Sequence, residues 1–261
     1  NVDDVGYASA AAAGLDGGTI TPTGASVGTK QGFSIIKYQG NSTAGANISH
    51  GLLEAPKLMI HKSLDQSRNW YTITTVIDGS ADYLYLNLKN ASNDSAVTAP
   101  TSDLMYFTSS AESNNNNENY IVYMWHDVPG LQKFGSFVTP NASQYVHLGF
   151  KPAILWIKRT GKGSTTNLST YGSWYVNNSE MSPVNPASYE EVLWLNENYA
   201  EGKRGNGGGA GTYLNVDFLS DGFRMRGSAN AEIGQPNDIN IYCAWAEAPS
   251  IDLFGGGANA R

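Results

Sequence analysis

Apolar residues along this chain come in short runs that alternate with polar ones and do not recur at the three- and four-residue spacing of a helix, so the pattern predicts strands. The runs lie at 33–38, 57–62, 70–76, 83–88, 104–108 and 120–125, and then at 134–139, 145–148, 153–158, 173–177, 192–196, 213–219, 223–226 and 239–246. Between them stand Asp78-Gly79, the stretch 41–45 and the polar tract 113–119, residues that tolerate left-handed conformations or bond their own backbone. The run at 83–88, Tyr-Leu-Tyr-Leu-Asn-Leu, puts rings on one face and leucines on the other, as a strand covered on both sides would. Residues 188–191, Ser-Tyr-Glu-Glu, fit a helix capping box, which predicts at most one helical turn before the strand from Val192.

The pattern is also repeated. Laying Pro249 on Pro129 sets Trp245 on Trp125, Glu247 on Asp127, Ile241 on Ile121 and Asp238 on Glu118. Working outward, Phe33 matches Phe134, Pro56 matches Pro152, Trp70 matches Trp174 and Asn87 matches Asn196, always in order. The matches lie in apolar runs and the changes of spacing fall in Gly, Ser, Thr and Asn-rich sequence, so a shared scaffold with variable connections is expected. The expected division is residues 1–32 as the end of a preceding repeat plus a connector, 33–130 as copy one and 131–261 as copy two, all-β throughout. Trp70, Trp125, Trp174 and Trp245, with Pro56 and Pro152, are the expected structural core because the repeat pairs them. Trp156 and Trp194 replace Ile60 and Tyr85 and are read as packing residues too.

Composition narrows the function. Sixteen Lys and Arg stand against 23 Asp and Glu, and a net charge of -7 without basic clusters argues against a nucleic-acid partner. No apolar run is long enough to cross a bilayer as a helix, so no membrane insertion is expected. The single Cys243 sits in an apolar run and reads as a small buried hydrophobe.

Candidate chemistry is sparse. Asp127 and Glu247 occupy equivalent points of separate copies and read as strand-end residues, not as an acid/base pair. His50, His61, His126 and His147 have no metal-ligand spacing, and no nucleophile elbow or phosphate loop is present, so no catalytic residues and no cofactor are assigned. Oxygen ligands that Ca²⁺ could take occur at Asp78 to Asp82 and at Asn90 to Asp94, although neither is a full EF-hand loop. The loops at 160–172, 178–191 and 197–212 are longer than the corresponding connections of copy one and unmatched in sequence. In them Tyr171, Tyr189, Tyr199 and Arg204 are the candidate ligand-binding residues, rings and a guanidinium suited to a sugar.

The strings LQKFGSF, LGFKPAILWIKRTG, VDFLSDGFRMRGSANAEI, IYCAWAEAP and the final ANAR resemble a repeated domain of tailed-bacteriophage virion proteins, of the marine-phage tail-fibre or receptor-binding type. GFSIIKYQGNSTAGANISHGLLEAPKLMIHK with NYIVYMWHDVPG resembles the preceding repeat of the same family. The resemblance implies two tandem concanavalin-like or jelly-roll β-sandwiches in a virion fibre or appendage that contributes to host attachment. A homo-oligomer is expected because the run at 83–88 is apolar on both faces. The resemblance makes a trimer its expected fibre form with other virion proteins as partners, and the loop tyrosines with the low charge make a host-surface glycan the expected ligand. Capsid decoration is the alternative role, and a polysaccharide depolymerase would require two carboxylates in one groove.

Overall fold

A computed structural model describes residues 1–139, 143–163, 172–181, 185, 192–198, 215–226 and 237–248. The described residues are nearly all β, in four sheets with one short helix. The chain divides into two compact units, the first made of residues 1–86 and 93–128 and the second of residues 87–92 and 129–261.

Unit 1 holds a seven-stranded antiparallel sheet built about β9 (Asn119–Trp125). On one edge β9 pairs with β2 (Phe33–Gln39), which pairs with β1 (Gly24–Gly28). On its other edge β9 pairs with β4 (Leu58–Ser63), and β5 (Tyr71–Thr74), β6 (Asp82–Tyr85) and β7 (Asn93–Asp94) follow outward. A second small sheet pairs β3 (Asn47–Ser49) with β8 (Leu104–Tyr106). Every second residue of the large sheet faces it. Ile36 and Tyr38, Met59, Tyr71 and Ile73, and Tyr120, Val122 and Met124 share one buried core with Ile48, Met105 and Phe107. The period of two is what places these side chains on one face. The helix α1 (Ala111–Asn114) lies in the polar tract before β9, where the Ser110 hydroxyl accepts from the Glu112 amide at 3.3 Å as its N-cap.

Unit 2 repeats the order. Its five-stranded sheet runs β10 (Gln132–Val138), β17 (Ile239–Ala246), β12 (Pro152–Arg159), β13 (Trp174–Asn178) and β14 (Leu193–Trp194), which is the sequence β2-β9-β4-β5-β6 of unit 1. Its smaller sheet joins β11 (Gln144–His147), β16 (Gly222–Arg226) and β15 (Asn215–Leu219). One core again unites both sheets, with Phe137, Leu155, Ile157, Tyr175 and Tyr242 from the larger and Val216, Phe223 and Met225 from the smaller.

Strand registers show which sequence matches hold residue by residue. Trp125 pairs with Leu58 and Trp245 with Ile154, in step with Pro56 and Pro152. Ile60 pairs with Thr72 and Trp156 with Val176, in step with Trp70 and Trp174. Thr72 pairs with Leu84 and Val176 with Leu193, in step with Asn87 and Asn196. The Phe33 match differs, because Trp125 pairs with Phe33 whereas Trp245 pairs with Gln132, two residues before Phe134. A slip of two keeps every side chain on its face, so alternation by itself does not detect it. The core compensates where the copies diverge. The Ile36–Val122 pair of unit 1 corresponds to Gly135–Tyr242 in unit 2, where a Cβ on Gly135 would lie 2.5 Å from the Tyr242 hydroxyl. The large ring occupies the room that the glycine leaves.

Two expectations are corrected in detail. Residues 1–32, expected as the end of a preceding repeat plus a connector, contribute β1, and Leu15, Ile20 and Val27 join the core of unit 1. The tryptophans, expected together in the core, divide. Trp174 is fully buried, but Trp70 is 37 % exposed, with the Lys62 ammonium 5.9 Å over its ring. Trp125 and Trp245 are half-buried on the sheet faces opposite the core, Trp125 stacked on Phe33 at 4.8 Å and Trp245 edge-on to Trp156 at 4.9 Å. Equivalent backbone positions aim the Cβ atoms alike, while burial depends on what lies over each sheet. Pro56 and Pro152 are both buried, and Trp194 is half-buried against Tyr175 at 4.7 Å. The capping box at 188–191 lies outside the described residues.

The equivalent pair makes an internal control. Trp174→Ala is expected to lower stability by about 3–5 kcal/mol, through lost burial and the cavity left behind. Trp70→Ala is expected to lower it by about 1 kcal/mol or less. Urea denaturation of the two variants checks this, and equal losses would overturn the assignment.

Candidate functional site

The candidate ligand residues Tyr171, Tyr189, Tyr199 and Arg204 lie outside the described residues. The carboxylates weighed for catalysis are each engaged by a lysine at a strand end, Asp127 by Lys57 at 2.5 Å and Glu247 by Lys151 at 2.5 Å. Both pairs join the end of a central strand to the start of its neighbour, at matching places in the two units. The histidines are dispersed among separate partners. His50 Nδ1 accepts from the Leu52 amide at 3.1 Å, which leaves Nε2–H to donate to the Thr101 carbonyl at 3.1 Å. His61 Nδ1 lies 3.1 Å from the Tyr38 hydroxyl inside the core, and burial lowers its pKa to about 3, so the ring is neutral. His126 stands 3.8 Å from Glu54 and His147 3.7 Å from Asp221. Cys243 is buried, and desolvation pushes its thiol well above the ordinary range, as an inert packing residue requires.

The structure does bring together the two segments singled out for Ca²⁺. Pairing of β6 with β7 sets Asp82 directly opposite Asp94, and the turn before β6 carries Asp78 to the same place. One carboxylate oxygen from each of the three lies within 4.8 Å of the others, the one such acidic group of three among the described residues. Asp78 and Asp94 are exposed and Asp82 is fully buried. The turn is fixed by Asp78 Oδ1, which accepts from the Ser80 amide at 2.9 Å and its hydroxyl at 2.6 Å. Oxygens that share one Ca²⁺ at about 2.4 Å stand at most about 5 Å apart, so this spacing suits a hard divalent cation. The three carboxylates would be its protein ligands, and their mutual repulsion is what a cation would relieve.

A second arrangement, which the sequence reading paired only as a position, is the acid that precedes each central strand. In unit 1 Glu118 is buried and takes a bidentate pair from Arg68, Nε to Oε1 and Nη2 to Oε2, both at 2.7 Å. Ser63 Oγ donates to Oε1 at 2.5 Å and Asn115 Nδ2 to Oε2 at 3.0 Å. The Arg68 guanidinium is the main reason that the Glu118 carboxyl is held at about 2, below its ordinary 4.5, and the other donors add to this against burial. In unit 2 the matched Asp238 pairs with Arg159 at 2.5 Å, both fully buried. Ser63 and Arg159 close equivalent strands, which is the spacing by which the second cation could have been found from sequence.

Residues 6–249 match the profile of a domain of unknown function, DUF7483. The chain belongs to that family. The match runs through both units, so one family domain comprises the two copies. No curated protein and no solved structure matches the chain.

Two outcomes follow from these sites. In EDTA, Asp94→Asn removes one of two facing charges and is expected to stabilise the protein by about 0.5–1 kcal/mol. Ca²⁺ at about 1 mM is expected to raise the melting temperature of the wild type but not of this variant. A wild-type melting temperature indifferent to Ca²⁺ would remove the cation. For Glu118 the folded pKa is depressed, so its contribution is complete above pH 4.5 and is lost as pH falls toward about 2. The gap in melting temperature between wild type and Glu118→Gln is therefore expected to close across that window, and a gap independent of pH would contradict the ion pair.

Proposed function

We propose that this chain is a non-catalytic module of a tailed-phage virion, a distal tail-fibre or appendage component that contributes to host attachment. In this reading each unit is a concanavalin-like or jelly-roll β-sandwich, and the two stand in tandem. The observation that supports it most is the shared strand order about β9 and β17, together with the longer connections of copy two. A rigid sheet scaffold with variable loops is what a surface-recognition module needs, because loops change without disturbing burial. The low charge suits a host-surface glycan, met through Tyr171, Tyr189, Tyr199 and Arg204 in the enlarged loops of copy two. Self-association into a homo-oligomer, a trimer in a fibre, would multiply weak contacts into useful avidity. Attachment to other virion proteins would place the module on the particle.

The second reading, capsid decoration, uses the same scaffold and differs in where the protein sits. Immunogold labelling of intact virions with an antibody to this chain separates them. Label on tail appendages, together with slower adsorption when 160–172 and 197–212 are cut to copy-one lengths, is the expected result. Label distributed over the capsid lattice would replace attachment by decoration, and absence of label from the particle would end both.

A further inference from the structure

Beside the Arg68–Glu118 pair lies an open hollow of about 360 Å³, lined by Asp65, Gln66, Arg68, Asn115, Asn116, Asn117 and Glu118. It sits between the connection that follows β4 and the turn that precedes β9, within unit 1. We infer that this hollow is a binding site for a short neutral saccharide. The inference extends the attachment reading to a second place on the molecule, and rests on that reading for its biological sense.

Chemistry selects the ligand class. Four of the lining side chains are primary amides, and none is apolar. An amide presents both donors and an acceptor, which is what a ring of hydroxyl groups demands of its partner. Charge excludes the principal competitor. The one guanidinium is already engaged by Glu118 in a two-point contact, and Asp65 adds a second carboxylate, so the hollow is net negative and repels phosphate, sulfate and acidic sugars. The carboxylates are in turn occupied. Asp65 Oδ2 accepts from the Asn119 amide at 2.7 Å and from its side chain at 3.0 Å, while Glu118 takes Arg68, Ser63 and Asn115. A bare cation would have to displace those donors.

The walls are also fixed before any ligand arrives. The Gln66 amide donates to Ser63 Oγ at 3.0 Å, the Asn117 amide to the Gly40 carbonyl at 2.9 Å, and the Asn115 amide to the Tyr120 hydroxyl at 3.1 Å. Asn117 holds a left-handed backbone, with φ of 60°, that asparagine tolerates better than other side chains. A rim whose backbone is already ordered loses less entropy on binding. The volume falls at the small end of the roughly 300–1,000 Å³ range of ligand sites, which fits a terminal sugar or disaccharide.

The test is nuclear magnetic resonance on the purified full chain, with glucose, galactose, mannose, N-acetylglucosamine, lactose and maltose as probes. N-acetylneuraminic acid and inorganic phosphate are the anionic controls. At about 10 mM probe, suited to a Kd near 1 mM, at least one neutral sugar is expected to saturate and to shift the amide signals of residues 65–68 and 115–118. Gln66 and Asn116 are exposed, so Gln66→Ala and Asn116→Ala are expected to melt like wild type and each to weaken that binding roughly three- to tenfold. Failure of every neutral probe overturns the assignment, as does preferential binding of either anion. Binding that both variants leave unchanged overturns it too, by placing the site elsewhere. Because virions are not involved, failure here leaves the particle-labelling result standing on its own.

Discussion

Each unit depends on a central strand that is hydrogen-bonded along both edges. β9 holds β2 and β4, and β17 holds β10 and β12, so a residue misplaced in either strand disturbs two ladders and the core at once. Such a strand cannot shift by one position, because every inward side chain would turn to the opposite face. Tyr120, Val122 and Met124 in β9, and Tyr242 and Ala244 in β17, supply the inward set that fixes register. The acid at the head of each strand adds a second constraint. Glu118 and Asp238 are tied to Arg68 and Arg159, cations carried just beyond or at the end of the adjoining strand, so the charge pair pins the strand's start to its neighbour. A buried carboxylate without that partner would be strongly unfavourable, which makes the pair a condition of correct assembly.

What the two units do not share is where specialisation lies. Among the described residues, only unit 1 extends the common sheet, with β1 and β7 at its edges, and β7 brings Asp94 opposite Asp82. Unit 2 instead carries longer connections, and it incorporates residues 87–92. Lys158 Nζ donates to the Asn90 carbonyl at 3.0 Å, and the Ser92 amide donates to the Thr160 carbonyl at 2.7 Å. Burial lowers the Lys158 pKa to about 7, and backbone carbonyls are its hydrogen-bond partners. The same strand order at the centre of the sheet thus supports different additions in each copy.

This division bears on the proposed attachment role. A carboxylate cluster at the edge of a sheet and an amide-lined hollow at the head of a strand both use residues outside the apolar ladder. Neither requires a change in the core, so recognition surfaces can arise on either unit.

The sequence by itself determined the β class, most of the strands and the correspondence between the halves, because burial on one face imposes a period of two that is visible in a single chain. It located Pro56 against Pro152 and Trp70 against Trp174 in true register, and it singled out Asp78, Asp82 and Asp94. It did not show β1, β3 or β7, since Gly-Ala-Ser-Val-Gly, Asn-Ile-Ser and Asn-Asp carry too few apolar residues to betray a strand that pairing alone creates. Only the tertiary structure decided that Trp174 is buried while Trp70 is exposed, that Asp82 faces Asp94 and that Arg68 reaches Glu118. Those outcomes depend on which distant segments pack over a residue and on the register that brings them there, and neither is encoded in the local alternation from which strands are read.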